Sequence, residues 1–275
     1  MKDFTLKVTV PSGKEVRIKE LTNRYYLQII KFAENQDMEG LNLFFEEELF
    51  IDKDLDIIDR FYLVIFYRMM FVSGSITFTT KEKRSVDLDI KSILEKIENM
   101  YEDFLATVED GDFKIKVGLP NTLFFKTADD IFNRVIREIH YKNNVIIFSQ
   151  ASQQDQETIL SLLPPTIFFK LKEYINRISQ TLQDFVVIEK NEAFDIEQHN
   201  INIISNGVMV FVCSLFAGSL ASFYSMLYNF FSYVKGDSRL FFDISPIETR
   251  VLFNLYNKDI QEQNKQQQQQ QRQQR

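Results

Sequence analysis

The chain has 275 residues, 45% apolar and 26% charged, with a formal charge of −7, which places it among globular proteins of one large or two modest domains. It holds 27 Phe, no Trp, 8 Gly, 5 Pro, one Cys and two His. One thiol and two distant imidazoles exclude a disulfide framework and a Cys/His zinc site, and they suit a reducing compartment.

Met1-Lys2-Asp3 leads straight into alternation without the apolar stretch of a signal peptide, so export is not expected. Phe4, Leu6, Val8 and Val10 alternate with polar residues, Pro11-Ser12-Gly13 turns the chain, and Val16 and Ile18 continue the pattern, which predicts a β-hairpin with one buried face. Thr22 is placed to cap a helix carrying Tyr26, Ile29, Ile30 and Ala33, and Leu41, Phe44 and Phe45 suggest a second, short one. A strongly apolar helix is expected over Ile57–Phe71, starting at Asp56 or a neighbour, with so little polar surface that it must be buried on most sides. After Gly74, Ile76 and Phe78 pair with Val86 and Leu88 across Lys81-Glu82-Lys83-Arg84 in a second hairpin. A helix from about Asp89 to Leu105 follows, with Ser92 and Glu95 at capping-box spacing.

Beyond the Glu109-Asp110-Gly111-Asp112 turn the pattern gives a strand over Phe113–Val117, a helix carrying Ile131 through Ile139 and ending at His140, and a strand over Val145–Phe148. A helix over Glu157–Leu163 stops at Pro164-Pro165, because a residue before proline is pushed out of the helical region. Pro165 then opens the clearest amphipathic helix, with Ile167, Phe168, Leu171, Tyr174, Ile175 and Ile178 on one stripe. Phe185–Ile188 and Ile201–Ile204 read as short strands. No charged residue occurs between Glu197 and Lys235, and Ala217-Gly218-Ser219 divides that run into two buried helices. Ser245-Pro246-Ile247-Glu248 opens the last helix, with Ile247, Val251, Leu252 and Leu255 facing the body. After Ile260 the chain is nearly all Gln, a disordered composition.

These elements make an α+β protein with an N-terminal hairpin packed on helices over 1–108, an α+β middle over 109–205, a helical C-terminal region over 206–260 and a disordered Gln-rich tail over 261–275. The tail holds three basic residues and one acidic residue, which leaves 29 basic and 38 acidic residues in the body, a charge of −9. That charge repels nucleic-acid phosphates, and Lys81–Arg84 is too short a basic patch to reverse it.

Glycines 13, 40, 74, 111, 118, 207, 218 and 236 lack the spacing of a P-loop, a dinucleotide fingerprint or a nucleophile elbow. Carboxylates, hydroxyls and lysines are the remaining catalytic chemistry. Asp52, Asp54 and Asp56 alternate like the start of a calcium loop, but Ile57 stands where glycine is required and Leu63 where the bidentate Glu belongs; they read as support for a helix N-terminus. Glu109–Asp112 reads as a solvated turn, His140 as a helix C-cap, His199 as a loop residue and Cys213 as packing. No catalytic, metal or cofactor residue is therefore expected. The aromatic-rich, charge-poor C-terminal third points to a protein interface, with Phe211, Leu215, Phe223, Tyr224, Leu227, Phe230 and Phe231 as its expected contact residues.

The order of Val10-Pro11-Ser12-Gly13-Lys14-Glu15-Val16-Arg17-Ile18, Leu21-Thr22, Ile58-Asp59-Arg60-Phe61 through Arg68 to Ser73-Gly74-Ser75-Ile76, and Ser245-Pro246-Ile247-Glu248 resembles the baseplate hub assembly proteins of T4-type tailed phages. Phe223-Tyr224-Ser225-Met226-Leu227-Tyr228-Asn229-Phe230 is similar to the same family, so the likeness covers roughly 1–80 and 205–260, with a looser match around Lys116–Pro120. The resemblance implies a non-enzymatic structural protein or chaperone that helps build the central hub of a contractile tail. Its implied partners are hub or tape-measure proteins, and its implied place is the host cytoplasm during assembly or the virion tail. The competing reading is an integral membrane protein anchored through 208–234, a run long enough to span a bilayer.

Overall fold

A computed structural model describes residues 4–79, 85–102, 104–142, 144–186, 201–217, 220–234 and 238–273. Its N-terminal hairpin pairs β1 (Thr5–Thr9) with β2 (Glu15–Lys19) in the register Leu6 to Ile18 and Val8 to Val16, which puts the apolar residues of both strands on one face. Gly13 takes φ of 82° in the turn, a conformation that a side chain disfavours. Thr22 caps α1 (Asn23–Glu34) by accepting the Tyr25 N–H, and α2 (Met38–Phe44) runs into a π-helical turn, Phe45–Leu49.

Helix α3 (Ile57–Tyr67) starts where Asp56 accepts the N–H groups of Ile58 and Asp59, and it ends in a second π-helical turn, Arg68–Val72. All its residues except Phe66 are buried, as its composition requires. Phe45, fully buried, lies against the rings of Phe50, Tyr67 and Phe216, with centroids 5.7, 6.2 and 5.9 Å away. A second hairpin, β3 (Ser75–Thr79) and β4 (Ser85–Asp89), leads into α4 (Ile90–Met100). Asp89 caps that helix through the Lys91 N–H, one turn before the Ser92–Glu95 box expected from sequence. The expected turn Lys81–Arg84 lies outside the described residues.

The middle of the chain forms a four-stranded antiparallel sheet in sequence order: β5 (Ala106–Asp110), β6 (Phe113–Val117), β7 (Ile136–Tyr141) and β8 (Asn144–Ile147). Helix α5 (Ala128–Val135) separates β6 from β7. This corrects the single helix expected from Ile131 to His140. The residues after Val135 pair with β6 instead, because the β-branched Ile136 and Ile139 complete its buried face.

Helix α6 (Gln153–Leu162) stops before the prolines, and α7 (Pro165–Val186) follows. The latter absorbs Phe185 and Val186, for which a strand was expected; both are buried and continue the stripe of Ile178 and Leu182. The remainder of that expected strand, 187 and 188, lies outside the described residues. Ile201–Ile204 forms no strand. It is an irregular segment pinned to α7 by Ile201 N–H to Gln183 Oε1 (2.7 Å) and Ile203 N–H to Ser179 Oγ (3.3 Å).

The C-terminal region consists of α8 (Gly207–Phe216), α9 (Leu220–Val234), α10 (Ser238–Asp243) and α11 (Pro246–Gln273). Ser245 and Glu248 form the reciprocal capping box expected: Glu248 Oε2 accepts the Ser245 N–H at 2.7 Å, and Ser245 Oγ accepts the Glu248 N–H at 3.3 Å. Helix α11 continues to Gln273, which corrects the expected disorder from residue 261. Glutamine is a good helix former, and neither Gly nor Pro follows Pro246 to end the helix.

One continuous set of buried apolar residues runs from Val8 to Phe216, through the sheet and across both boundaries expected at 108 and 205. A smaller set, Ile30, Phe223, Phe230 and Phe241, joins α1 to the C-terminal helices. Phe45→Ala should cost about 3–5 kcal/mol, because the ring leaves a cavity between three aromatic neighbours. Ser245→Ala should cost about 1 kcal/mol through the lost cap alone. Denaturant unfolding of the two variants checks the ranking.

Candidate functional site

Two buried polar residues set how the C-terminal helices lie on the body. Arg68, buried, donates from Nε to the Leu215 carbonyl in the last turn of α8 (2.8 Å), and from its terminal nitrogens to the carbonyls of Ser73 (3.1 Å) and Ser75 (3.4 Å). Burial lowers its pKa, yet a guanidinium keeps its proton and offers several donors to uncharged acceptors. Asn23, also buried, donates to the Phe241 carbonyl at 2.8 Å and to Thr249 Oγ1 at 2.7 Å, and its N–H reaches the Ile244 carbonyl. Thr249 is thereby turned inward at the first turn of α11.

That rotation decides which apolar side chains remain at the surface. Residues Thr249, Phe253, Tyr256 and Ile260 share the side of α11 that meets the body. Ile247, Val251 and Leu255, four residues apart, lie on the opposite side and are 38%, 52% and 55% exposed, with Leu252 beside them. The expectation that these four face the body is thus corrected. Both stripes have helical spacing, and Asn23 selects the other one.

The expected contact residues divide in the opposite sense. Phe211, Leu215, Phe223 and Phe230 are buried: Phe211 packs on Phe61, and Phe223 and Phe230 pack on Phe241. They are occupied inside the chain and present no surface in this conformation. Leu227 and Phe231 are half-buried, and Tyr224 is 48% exposed. Among the described residues, the large exposed apolar side chains of this region are therefore Val210 on α8, Tyr224 and Tyr228 on α9, Leu240 on α10 and the Ile247–Leu255 stripe on α11. Sequence reasoning missed the stripe because a helix with two apolar faces does not declare which is inward.

By length and composition Gly207–Ser232 could cross a membrane, yet 56% of its most apolar window is buried within the chain. The chain leaves helical geometry at Ala217, so α8 and α9 are separate helices; Gly218 and Ser219 lie outside the described residues.

The residues weighed for chemistry have ordinary roles. Asp52 accepts the Arg17 N–H at 2.6 Å and pairs with its guanidinium, contacts that hold its carboxyl below the usual range. Asp54 pairs with Lys14 at 2.9 Å, and Asp56 caps α3 while accepting the Tyr101 hydroxyl at 3.2 Å. Glu109 pairs with Lys114 across the turn. His140 lies in β7, not at a helix end, with Nε2 3.0 Å from Glu138. Burial pushes the Cys213 thiol up to about 11, so it stays protonated. His199 lies outside the described residues. Among the described residues no group of three His, Cys, Asp or Glu is placed to hold a metal ion.

A cleft of ≈740 Å³ between α5, β7 and α6 is lined by Lys126, Arg134 and Arg137 and by Asp129, Asp130 and Glu157. Lys126 pairs with Glu39, Arg134 with Asp130, and Arg137 with the Leu119 carbonyl, so these cations serve the chain itself.

The architecture is that of a packed α+β body carrying an exposed apolar helix face. A family described as T4 bacteriophage base plate protein matches residues 1–192. The chain belongs to this family, and its place is among the proteins of the phage tail baseplate. Neither curated proteins nor solved structures gave a match. The matched residues end before the C-terminal helices, so the exposed stripe of α11 lies beyond them.

Within the matched region, Asp59 is fully buried and accepts both the N–H (3.0 Å) and the hydroxyl (2.7 Å) of Ser12, which ties the hairpin turn to α3. Desolvation, then the nearby Asp56 charge, raises its pKa from 3.8 to about 6; Ser12 and Lys14 oppose the shift. The folded state thus holds this proton more tightly than the unfolded chain. The resulting stability is fully present below about pH 4 and is lost as pH rises through 6. Unfolding of Asp59→Asn and of the parent chain at pH 5 and 7.5 should therefore show the parent losing more stability on the alkaline step; equal changes would contradict this.

Proposed function

We propose that this chain is a non-enzymatic component of the central hub of a contractile-tail baseplate, acting as a structural subunit or as a chaperone of hub assembly in the host cytoplasm. Membership of the baseplate family and the sequence resemblance to hub assembly proteins support this reading. The single observation that carries the mechanism is the apolar stripe Ile247, Val251 and Leu255, together with Leu252, left outside on a helix already packed by its other face. A row of large aliphatic residues at helical spacing suits helix-in-groove binding, with burial of apolar area as the driving force. The favoured partners are hub or tape-measure subunits rather than nucleic acid, which the body charge of −9 repels.

Co-expression with the hub and tape-measure proteins of the same phage should give a complex that survives size-exclusion chromatography. Val251→Asp with Leu255→Asp should weaken it at least tenfold without changing the circular dichroism spectrum, because both side chains are exposed in the free chain. Unimpaired binding by that variant, or normal tails from a phage lacking the gene, would overturn the proposal.

A further inference from the structure

The helices after Phe216 close around a different core from the rest of the chain. Among the described residues the large buried set ends at Phe216, the last residue of α8, and α9, α10 and α11 contribute nothing to it. They share an aromatic centre of their own: Phe230 lies 5.3 Å from Phe241 and 6.4 Å from Phe253, and Phe223 lies 5.6 Å from Phe241. These rings hold the three helices to one another. To this centre the body adds Ile30, buried, with Tyr26 and Leu27 at its rim, all three from a single helix, α1.

Polar contacts of the seam also converge on α1. Asn23 at its start holds the Phe241 and Ile244 carbonyls and Thr249 Oγ1, Arg24 pairs with Asp243 at 3.4 Å, and Glu34 at its end accepts the Leu220 N–H at 2.7 Å. Three features of the same seam work against these bonds. Asn23 Oδ1 is buried with no hydrogen-bond partner, a cost that exists only while the seam is closed. Glu248 on α11 stands close enough to Glu20 to add to burial in raising its pKa, so two carboxylates oppose each other there. Where α11 passes the π-turn Arg68–Val72, Arg250 opposes Arg68 in the same way, adding to burial in lowering its pKa. Separation relieves all three.

We propose that α9, α10 and α11 form a clasp that lifts from α1 as one unit while the large core stays closed. Lifting breaks the contacts of Asn23, Arg24 and Glu34 and bares Tyr26, Leu27 and Ile30 on α1 together with Phe223 on α9. Helix α1 stays behind, because Ile29 and Ala33 are buried in the large core, and α8 stays with it through Phe211 and Leu215. Of the residues expected at an interface, Phe223 is therefore reached by opening, whereas Phe211 and Leu215 are not. The opening needs no partner, so the free chain shows it whether or not the chain belongs to the hub.

Two neighbouring residues of α1 read the opening. Ile30 belongs to the seam at 2% exposure and Ile29 to the large core at 0%, so Ile30→Cys and Ile29→Cys make the same truncation on two sides of one helix. In the folded full-length chain a maleimide should label the thiol of Ile30→Cys roughly tenfold or more faster than that of Ile29→Cys, read by peptide mass to separate it from native Cys213. Phe223→Cys, on the clasp side of the seam, should also label ahead of Ile29→Cys. Asn23→Ala combined with Ile30→Cys should speed labelling about fivefold by removing two hydrogen bonds. Glu20→Gln should slow it about twofold by removing one of two like charges. Equal labelling at 29 and 30 would mean that the seam opens only with the large core, and it would overturn the proposal. So would labelling at 30 that is indifferent to Asn23→Ala or quickened by Glu20→Gln.

Discussion

A helix buried on nearly every side has to satisfy its polar groups from within the protein, and in this chain that requirement joins distant segments to α3 and the π-turn that ends it. Asp59 takes the hairpin turn at Ser12. Arg60 donates to the carbonyls of Leu55 and Lys53 and pairs with Glu46 at 3.2 Å. Tyr62 reaches Glu98 on α4, and Tyr67 donates to the carbonyls of Lys19 and Leu49. Arg68 completes the series at the end of α8. A buried donor or acceptor left unmade costs about 1–3 kcal/mol, so each contact is a constraint on where its segment can lie as well as a bond.

The same logic extends through the loop after β6. Glu46, beside Arg60, accepts the Thr122 hydroxyl at 3.0 Å, and Asn42 accepts the Leu123 N–H at 3.3 Å. Asn206, at φ of 55°, accepts the Phe125 N–H at 3.0 Å and returns a hydrogen bond to its carbonyl at 2.8 Å. The middle sheet and the first turn of α8 are thus held to the N-terminal helices by short polar side chains as well as by apolar packing. Polar contacts of fixed geometry add directional restraint to hydrophobic burial, which is non-directional.

Association would then be left to surfaces that this frame does not use. The outer stripe of α11 is such a surface: it offers aliphatic side chains at helical spacing to a groove. It lies beyond the matched family residues.

Much of the local structure was legible in the residues. Thr22, Asp56 and Ser245 mark helix starts through side-chain oxygens that accept specific N–H groups, and Pro164-Pro165 ends one helix and opens the next, because these are short-range effects. The completeness of α3 burial followed from its composition. What the sequence could not decide was any choice between two patterns that both satisfy the local rules. Ile136–Tyr141 became a strand because β6 offered a ladder, and Phe185 and Val186 stayed helical because the stripe of α7 continued. The aliphatics of α11 face outward because Asn23, more than two hundred residues away, holds Thr249 and thereby fixes the rotation of that helix. Periodicity reports that a helix has an apolar face; with two such faces, only a distant hydrogen bond selects the one that is buried and leaves the other for a partner.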